Sequence, residues 1–228
     1  MAEQLIFDLP TKAALGRDAY FVVPSNAVAV QALEQWQDWP NARMLLWGPK
    51  GAGKTHLAHV WATESGAVIV DALSLTDQTV EALAEAPALV VEDADRLVGN
   101  LATETALFHL YNLMQAKGGY LMITATLAPA RWGAGLDDLI SRMQAMPLVK
   151  LETPDDALLA AMMIKLFADR QIAIGPELIP YLLDRIERST EAVNQVVAAL
   201  DLAALTQKRP VNRRLAAEVL DNRAPRKA

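Results

Sequence analysis

Met44-Leu-Leu-Trp-Gly-Pro-Lys-Gly-Ala-Gly-Lys-Thr55 is the stretch that decides the fold of this chain. Its four apolar residues from Met44 to Trp47 predict a buried strand, and residues 54–64 predict a helix. Between them stands the pattern Gly-x4-Gly-Lys-Thr, whose glycines let backbone amides turn toward phosphate oxygens without a clash from Cβ. Lys54 adds a positive charge, Thr55 adds a hydroxyl ligand for Mg²⁺, and the helix N-terminus favours an anion. This order of elements predicts a phosphate-binding loop.

Apolar runs alternate with amphipathic segments as far as Thr153. Strands are predicted at residues 67–70, 88–91, 120–124 and 148–151, and helices at 76–85 and 104–117. Strands that are apolar throughout are typical of a parallel sheet covered by helices on both faces. After Thr153-Pro154 only helical patterns follow, at 155–170, 176–186, 190–206 and 212–220. We expect an α/β domain over residues 13–153 and a small all-helical domain over 154–228.

The composition excludes several classes of protein. Hydrophobic residues make up 53% of the 228 and charged residues 21%, which does not fit a disordered chain. No apolar run approaches the roughly 20 residues that span a bilayer, and the acidic start does not fit a signal peptide, so we expect a cytoplasmic protein without membrane contact. The absence of cysteine excludes disulfides and thiolate metal sites. A net charge of −6 argues against broad nucleic-acid binding, so DNA contact is expected only indirectly.

The predicted strand at 88–91 ends in two acids, Glu92 and Asp93, as a Walker B segment does. In this pattern Glu92 holds Mg²⁺ together with Thr55, and Asp93 orients the attacking water. In the alternative register Asp93 takes the metal, and Ala94 leaves no base. The usual order is Asp followed by Asp or Glu, so both registers misplace the metal or the water, and both predict weak intrinsic ATP hydrolysis.

These motifs resemble those of the DnaA/Hda family of AAA+ ATPases, and further motifs follow in family order over roughly residues 17–221. Residues 47–57 resemble the Walker A region, and residues 20–26 resemble the segment that packs over adenine. Residues 121–126 resemble sensor I, with Thr126 where the family often has Asp. Residues 139–143 resemble the box that carries the arginine finger, here Arg142. Residues 188–193 resemble sensor II, whose arginine, here Arg188, touches the nucleotide phosphates.

The resemblance implies an AAA+ fold with a helical lid, and bound ADP or ATP with Mg²⁺. It also implies the residues that contact the nucleotide, which are Tyr20, Phe21, Val22, Val23, Asn26, Pro49, Gly51, Ala52, Gly53, Lys54, Thr55, His56 and Arg188. His56 and His59 share a helix face, but no carboxylate at suitable spacing joins them, so a packed pair is expected there rather than a metal site.

A short segment near the N-terminus, Gln4-Leu-Ile-Phe-Asp-Leu9, is similar to the sliding-clamp-binding peptide of clamp partners. Such a peptide binds in extended form, with Gln4 hydrogen-bonded at one subsite while Leu5, Phe7 and Leu9 enter an apolar groove. The alternative is an ordinary frayed terminus. We predict that residues 1–12 bind the beta subunit of DNA polymerase III, the sliding clamp.

The clamp peptide, the DnaA-like core and the lack of a helix-turn-helix pattern after Asn222 imply a regulator that, with the clamp, promotes hydrolysis of ATP bound to DnaA. Arg142 would act in trans, with Arg131 and Arg185 as rivals for the two arginine roles. A nucleotide-dependent homodimer is a further expectation. Two alternatives stay open: a DnaA-related helicase or DNA loader or adaptor, and a small-molecule kinase on a P-loop scaffold.

Overall fold

A computed structural model describes residues 22–23, 25–133 and 135–223, which form parts of two compact units. Of these described residues, the first unit includes those up to Pro49 and those from Lys54 to Glu152, and the second includes Lys50–Gly53 and those from Thr153 onward. Several residues with predicted roles lie outside the described residues, namely Gln4, Leu5, Phe7, Leu9, Tyr20 and Phe21.

The first unit is built on a five-stranded sheet with the order β2-β3-β4-β1-β5. The strands are β1 (Arg43–Trp47), β2 (Val68–Asp71), β3 (Ala88–Glu92), β4 (Tyr120–Ala125) and β5 (Leu148–Lys150). Every neighbouring pair is parallel, so the carboxyl ends of all five strands lie at one edge. In open parallel sheets this edge is where ligands bind.

The burial of the strands explains their apolar composition. The three central strands, β1, β3 and β4, are almost fully buried, whereas the edge strands β2 and β5 are partly exposed. Leu89 and Val91 join a core cluster on one face, while Val90 between them is buried as well, so both faces are covered. The predicted α/β fold with a parallel sheet is confirmed.

Five helices of the described part accompany the sheet: α1 (Ala27–Glu34), α2 (Lys54–Ser65), α3 (Asp77–Leu83), α4 (Leu101–Lys117) and α5 (Asp137–Ala145). The helix α4 starts three residues earlier than predicted, because the side chain of Asn100 accepts a hydrogen bond from the amide of Ala102 (3.1 Å). It ends as predicted, where Gly118 takes a left-handed conformation (φ 69°). The sequence patterns did not predict α1.

The described part of the second unit from Thr153 onward is helical, as predicted, with α6 (Asp156–Asp169), α7 (Leu178–Leu183), α8 (Thr190–Gln207) and α9 (Arg213–Arg223). Side chains cap three of these helices: Asp155 accepts from the amide of Leu158 (2.8 Å), Ser189 from the amide of Ala192 (3.0 Å) and Asn212 from the amide of Leu215 (3.0 Å). The helix α7 is shorter than the predicted 176–186. Among the described residues, no helix combines the length and apolar character needed to cross a bilayer.

Candidate phosphate-binding site

The loop of residues 48–53, called the phosphate loop below, leaves the carboxyl end of β1 and enters α2. Gly51 and Gly53 have positive φ values of 77° and 102°, a backbone conformation that favours glycine. A Cβ on Gly48 would collide with the backbone carbonyl of Leu151. Glycine is therefore required here by backbone conformation at two positions and by close approach at the third.

Lys54 is the first residue of α2, and its ammonium group folds back onto the phosphate loop. Its Nζ donates to the carbonyl oxygens of Gly48 (2.8 Å) and Pro49 (3.0 Å), and the residue is only 7% exposed. Burial lowers the pKa of Lys54, and the negative charges of Asp93, Asp95 and Glu92 oppose that shift. A cation is thus held at the loop, with acids nearby but no carboxylate of the described residues in salt-bridge contact.

Within the second unit, the tip of the phosphate loop contacts the start of α8. The backbone amide of Thr190 donates to the carbonyl oxygen of Gly51 (2.9 Å), and the Thr190 hydroxyl lies 3.2 Å from the same oxygen. A Cβ on Gly51 would overlap the side chain of Ser189. A concavity of about 160 Å³ adjoins this contact, lined by Lys50, Gly51, Glu187, Ser189, Glu191, Ala192 and Gln195.

Arg188, the predicted sensor II arginine, lies just before α8 and its side chain is 62% exposed. Its Nη2 donates to Oδ2 of Asp156 at 3.0 Å. The acidic residues Glu187 and Glu191, on either side of it in the chain, line the concavity beside Gly51. The rival Arg185 donates to the carbonyl oxygen of Tyr181 (3.2 Å), and its guanidinium lies 4.0 Å from that ring.

The predicted acids stand at the carboxyl end of β3. Oε1 of Glu92 is buried and has no hydrogen-bond partner among the described residues. Asp93 has a left-handed backbone (φ 54°), and its amide donates to Oγ1 of the buried Thr124 (3.0 Å). Its carboxylate lies 3.6 Å from Nη1 of Arg96, which is also 3.1 Å from Asp71.

Three residues of this edge were missed from the sequence: Thr124, Asp95 and Arg96. Asp95 accepts hydrogen bonds from the amides of Thr126 (3.0 Å) and Leu127 (3.1 Å), and so ties the end of β3 to the end of β4. Thr124, two residues before the predicted sensor position Thr126, contacts Asp93. The sequence does show a third acid, Asp95, close behind Glu92 and Asp93. Its hydrogen-bond partners could not be predicted, because they lie 31 and 32 residues away in the chain.

The turn before α1 contains the described part of the predicted adenine segment. Oδ1 of Asn26 accepts from the amide of Val23 (2.9 Å), and the amides of Asn26 and Ala27 donate to the carbonyl oxygen of Val23. Val23 and Asn26 are both buried, and Val22 is partly exposed. Thr55 and His56 are exposed on the first turn of α2.

Arg142 lies on α5 and is exposed. Its guanidinium carbon is 6.0 Å from the ring centroid of Tyr111 on α4, and it forms no ion pair with any described residue. A surface concavity of about 300 Å³ surrounds it, lined by Phe108, Asp138, Ser141, Arg142 and Ala145. The rival Arg131 is also exposed.

Comparison with known proteins gives a family match and a relative by sequence. Residues 44–147 match the model of the ATPase family associated with various cellular activities (AAA). An uncharacterized protein of Haemophilus influenzae is 27% identical over 173 residues, which cover 72% of this chain and 75% of that protein.

Two solved structures give the fold of nearly the whole chain. Domain III of the replication initiation protein DnaA from Thermotoga maritima matches with a TM-score of 0.77 at 18% identity, covering 89% of this chain and 94% of that one. The replication initiator DnaA bound to AMPPCP and single-stranded DNA matches with a TM-score of 0.71 at 19% identity, covering 88% and 69%. The chain therefore resembles AAA ATPases over residues 44–147, and it has the fold of domain III of DnaA.

Proposed function

We propose that the protein binds ADP or ATP through the phosphate loop together with Lys54 and Thr55. The observation that carries this proposal is the buried ammonium of Lys54, which the carbonyl oxygens of the loop hold at 2.8 and 3.0 Å. A fixed cation within a glycine loop at a helix N-terminus suits a polyphosphate. The DnaA structure with AMPPCP, an adenine nucleotide analogue, supports adenine as the base.

Further contacts to the nucleotide are proposed from the family motifs. Pro49, Ala52, Gly53 and His56 would contribute from the loop and the first turn of α2, and the segment that includes Val22, Val23 and Asn26 would pack near the base. Arg188 would exchange its exposed ion pair with Asp156 for a phosphate. Such a pair is worth about 0–1 kcal/mol, so breaking it is a small obstacle.

Mg²⁺ fits the acids at the end of β3. The buried Oε1 of Glu92 has no hydrogen-bond partner among the described residues, and Thr55 offers a hydroxyl at the start of α2. The described residues contain no group of three or more His, Cys, Asp or Glu side chains that could hold a metal. That is compatible with Mg²⁺, which beside a nucleotide usually takes one or two protein ligands together with phosphate oxygens and water.

Intrinsic hydrolysis is proposed to be weak. Asp93 would orient the attacking water, yet its carboxylate lies 3.6 Å from Arg96 and its amide is fixed by Thr124. A short side chain held in this way reaches less far than the glutamate that often stands in the water-orienting position, and small displacements are costly in phosphoryl transfer. The bound nucleotide would then act as a regulator of partner binding.

The principal activity we propose is exerted on another molecule. With the clamp, the protein would promote hydrolysis of ATP bound to DnaA, and Arg142 would stabilise the charge that develops on the γ-phosphate. The support is that Arg142 is exposed, has no carboxylate partner among the described residues and lies on α5 of a DnaA-like fold. Residues 4–9 would tether the protein to the sliding clamp, so that contact with DNA is indirect. A nucleotide-dependent homodimer and a cytoplasmic location complete the proposal.

The test measures hydrolysis of DnaA-bound ATP in the presence of the clamp on DNA. We expect the wild-type protein to stimulate this hydrolysis. Arg142→Ala should lower the stimulated rate about 10³–10⁵-fold, which is the contribution of arginine fingers that act in trans. Arg131→Ala and Arg185→Ala serve as matched controls, since both are exposed arginines. Both should retain stimulation. Full stimulation by Arg142→Ala would contradict the assignment.

A second experiment separates this regulator from a loader or adaptor and from a kinase. Gln4→Ala and Leu5→Ala should abolish capture by the immobilised clamp and leave nucleotide affinity unchanged. Failure of the wild-type protein to bind the clamp would contradict the proposed tether and favour one of the alternatives.

A further inference from the structure

The charge of Arg142 is held next to an aromatic ring instead of a carboxylate. Asp138, one helical turn earlier on α5, lines the same concavity but makes no ion pair with Arg142. Asp and Arg four residues apart on a helix would ordinarily attract each other. The guanidinium instead lies 6.0 Å from the ring centroid of Tyr111, at the outer limit of a cation–π contact.

The ring of Tyr111 is a fixed platform. Tyr111 is 5% exposed and belongs to the core cluster of the first unit. The guanidinium carbon of a second arginine, Arg43, also lies 5.3 Å from its centroid. Arg43 is only 1% exposed, and its Nη1 donates to the carbonyl oxygens of Gly119 (2.5 Å) and Ala42 (2.9 Å). Since core packing and an anchored cation surround the ring, it has little freedom to move with Arg142.

A second residue of α4 fixes the beginning of α5. Glu104 is 1% exposed, and its carboxylate accepts hydrogen bonds from the amides of Gly99 (2.8 Å), Gly135 (3.3 Å) and Leu136 (2.9 Å). Leu136 is the residue immediately before α5. The same helix therefore anchors both the start of α5 and the ring that faces Arg142.

We propose that Tyr111 is a positioning residue that holds Arg142 in an extended, outward orientation for use on a partner's nucleotide. This inference rests on the proposed function of Arg142. A free arginine side chain has about 2 kcal/mol of rotamer entropy to lose on docking. An aromatic platform limits that freedom before docking, without the competing negative charge that a carboxylate would bring close to a phosphate.

The test compares Tyr111→Phe with Tyr111→Leu in the full chain, using clamp-dependent stimulation of hydrolysis by DnaA. Phenylalanine keeps the ring, so Tyr111→Phe should stimulate within about twofold of wild type. Tyr111→Leu removes the ring, and the maximal rate should fall about three- to tenfold. The protein concentration that gives half-maximal stimulation should not change, because Tyr111 would not touch the partner. A full maximal rate in Tyr111→Leu, or equal losses in both variants, would overturn the inference.

Removing the ring also disturbs Arg43, so a second background controls for misfolding. Arg43→Met replaces the buried cation with an unbranched apolar chain, and we expect it to stimulate as wild type does. Adding Tyr111→Leu to Arg43→Met should lower the maximal rate by the same factor as in the wild-type background. If the loss disappears there, the effect belongs to Arg43, and Tyr111 has no positioning role.

The outcome with Arg142→Ala distinguishes failure of the proposed arginine-finger function from failure of the positioning role of Tyr111. Stimulation that survives Arg142→Ala refutes the arginine-finger assignment, and the role of Tyr111 with it. Stimulation lost in Arg142→Ala but kept in Tyr111→Leu refutes only the positioning role. A readout without partners is ¹⁵N relaxation at Nε of Arg142, where Tyr111→Leu should lower the order parameter and Tyr111→Phe should not.

Discussion

Charged groups have different surroundings in two regions of the molecule. One region is the phosphate loop with its neighbouring acids, and the other is the surface around Arg142. Near the loop, charged groups find partners inside the protein, since Lys54 donates to two carbonyl oxygens and Asp95 accepts from two amides. On α5, Arg142 has no carboxylate partner among the described residues and faces an aromatic ring. Under the proposed function, the first arrangement would fix polar groups around the protein's own nucleotide, and the second would keep a cation available to another molecule.

The two regions also differ in how deeply their supporting residues are buried. The acids near the loop are partly exposed at the sheet edge, and one buried oxygen of Glu92 has no hydrogen-bond partner in the part of the chain that the structure describes. Behind Arg142 the support is buried, with Glu104 and Tyr111 almost inaccessible on α4. Changes at the loop should therefore act first on nucleotide affinity. Changes behind α5 should act on stability and on the effect exerted on a partner.

The largest effect that separates the two regions is expected from Lys54→Ala. Charge-assisted hydrogen bonds contribute about 1.5–3 kcal/mol each, so the affinity for ADP should fall about a hundredfold. Arg142→Ala should leave the affinity for ADP unchanged, because we propose that its charge acts on a different molecule. Isothermal titration calorimetry of both variants measures this contrast. Equal losses of ADP affinity in the two variants would contradict the proposed difference between the two regions.

Glu104→Gln tests the buried support behind Arg142. The amide that replaces the carboxylate turns a donor toward at least one of the backbone amides now bonded to Glu104, so the free energy of unfolding should drop by about 2 kcal/mol. Urea unfolding gives the value. The matched control is Glu64→Gln, an exposed residue on α2, which should stay within about 0.5 kcal/mol of wild type.

Gly51→Ala sharpens the role of the loop backbone. The variant forces a side chain into a left-handed position and against Ser189, and we expect roughly a tenfold loss of ADP affinity. Gly66 has a similar φ of 72°, but apart from its chain neighbours no atom of the described residues lies within 4 Å of its hypothetical Cβ. Gly66→Ala should therefore show only the conformational cost of about 1 kcal/mol in unfolding, with affinity intact. An equal affinity loss in both variants would point to a general destabilisation.

The smallest effect is expected at Arg96. Its ion pairs with Asp71 and Asp93 are about half exposed and worth less than about 1 kcal/mol, so Arg96→Ala should raise intrinsic ATP hydrolysis by only about two- to threefold. Asp71→Asn frees Arg96 to approach Asp93 and should give no rise. Phosphate release at saturating ATP without DnaA provides the measurement. A fall in the rate of Arg96→Ala would mean that the pair supports Asp93.

Local patterns predicted the main elements of the fold. The glycine spacing around Lys54, the apolar runs of the central strands and the change to helical periodicity after Thr153 are short-range signals, and the structure confirms the fold that they implied. The ends of the elements were predicted less accurately. The strand β2 is displaced by one residue from the prediction, and α4 starts earlier, because the cap at Asn100 was not recognised.

The candidate site was predicted as a set of residues but not as a set of contacts. Lys54, Glu92, Asp93 and Arg142 were identified from motifs. The sequence did not predict that Asp95 accepts hydrogen bonds from the amides after β4, or that Arg96 pairs with Asp71. These partners come from other strands. The burial of Glu104 was equally hidden, since an isolated glutamate in a helical pattern is normally exposed.

The sequence by itself determined the phosphate loop, the parallel α/β arrangement and the helical part that follows, because each depends on residue type at short spacing. Only the tertiary structure decided which polar groups satisfy one another: Asp93 is held by Thr124, Arg142 lies near Tyr111, and one oxygen of Glu92 has no partner within the described ranges. Hydrogen bonds and ring contacts between residues distant in the chain depend on strand order and helix packing, which local periodicity does not encode.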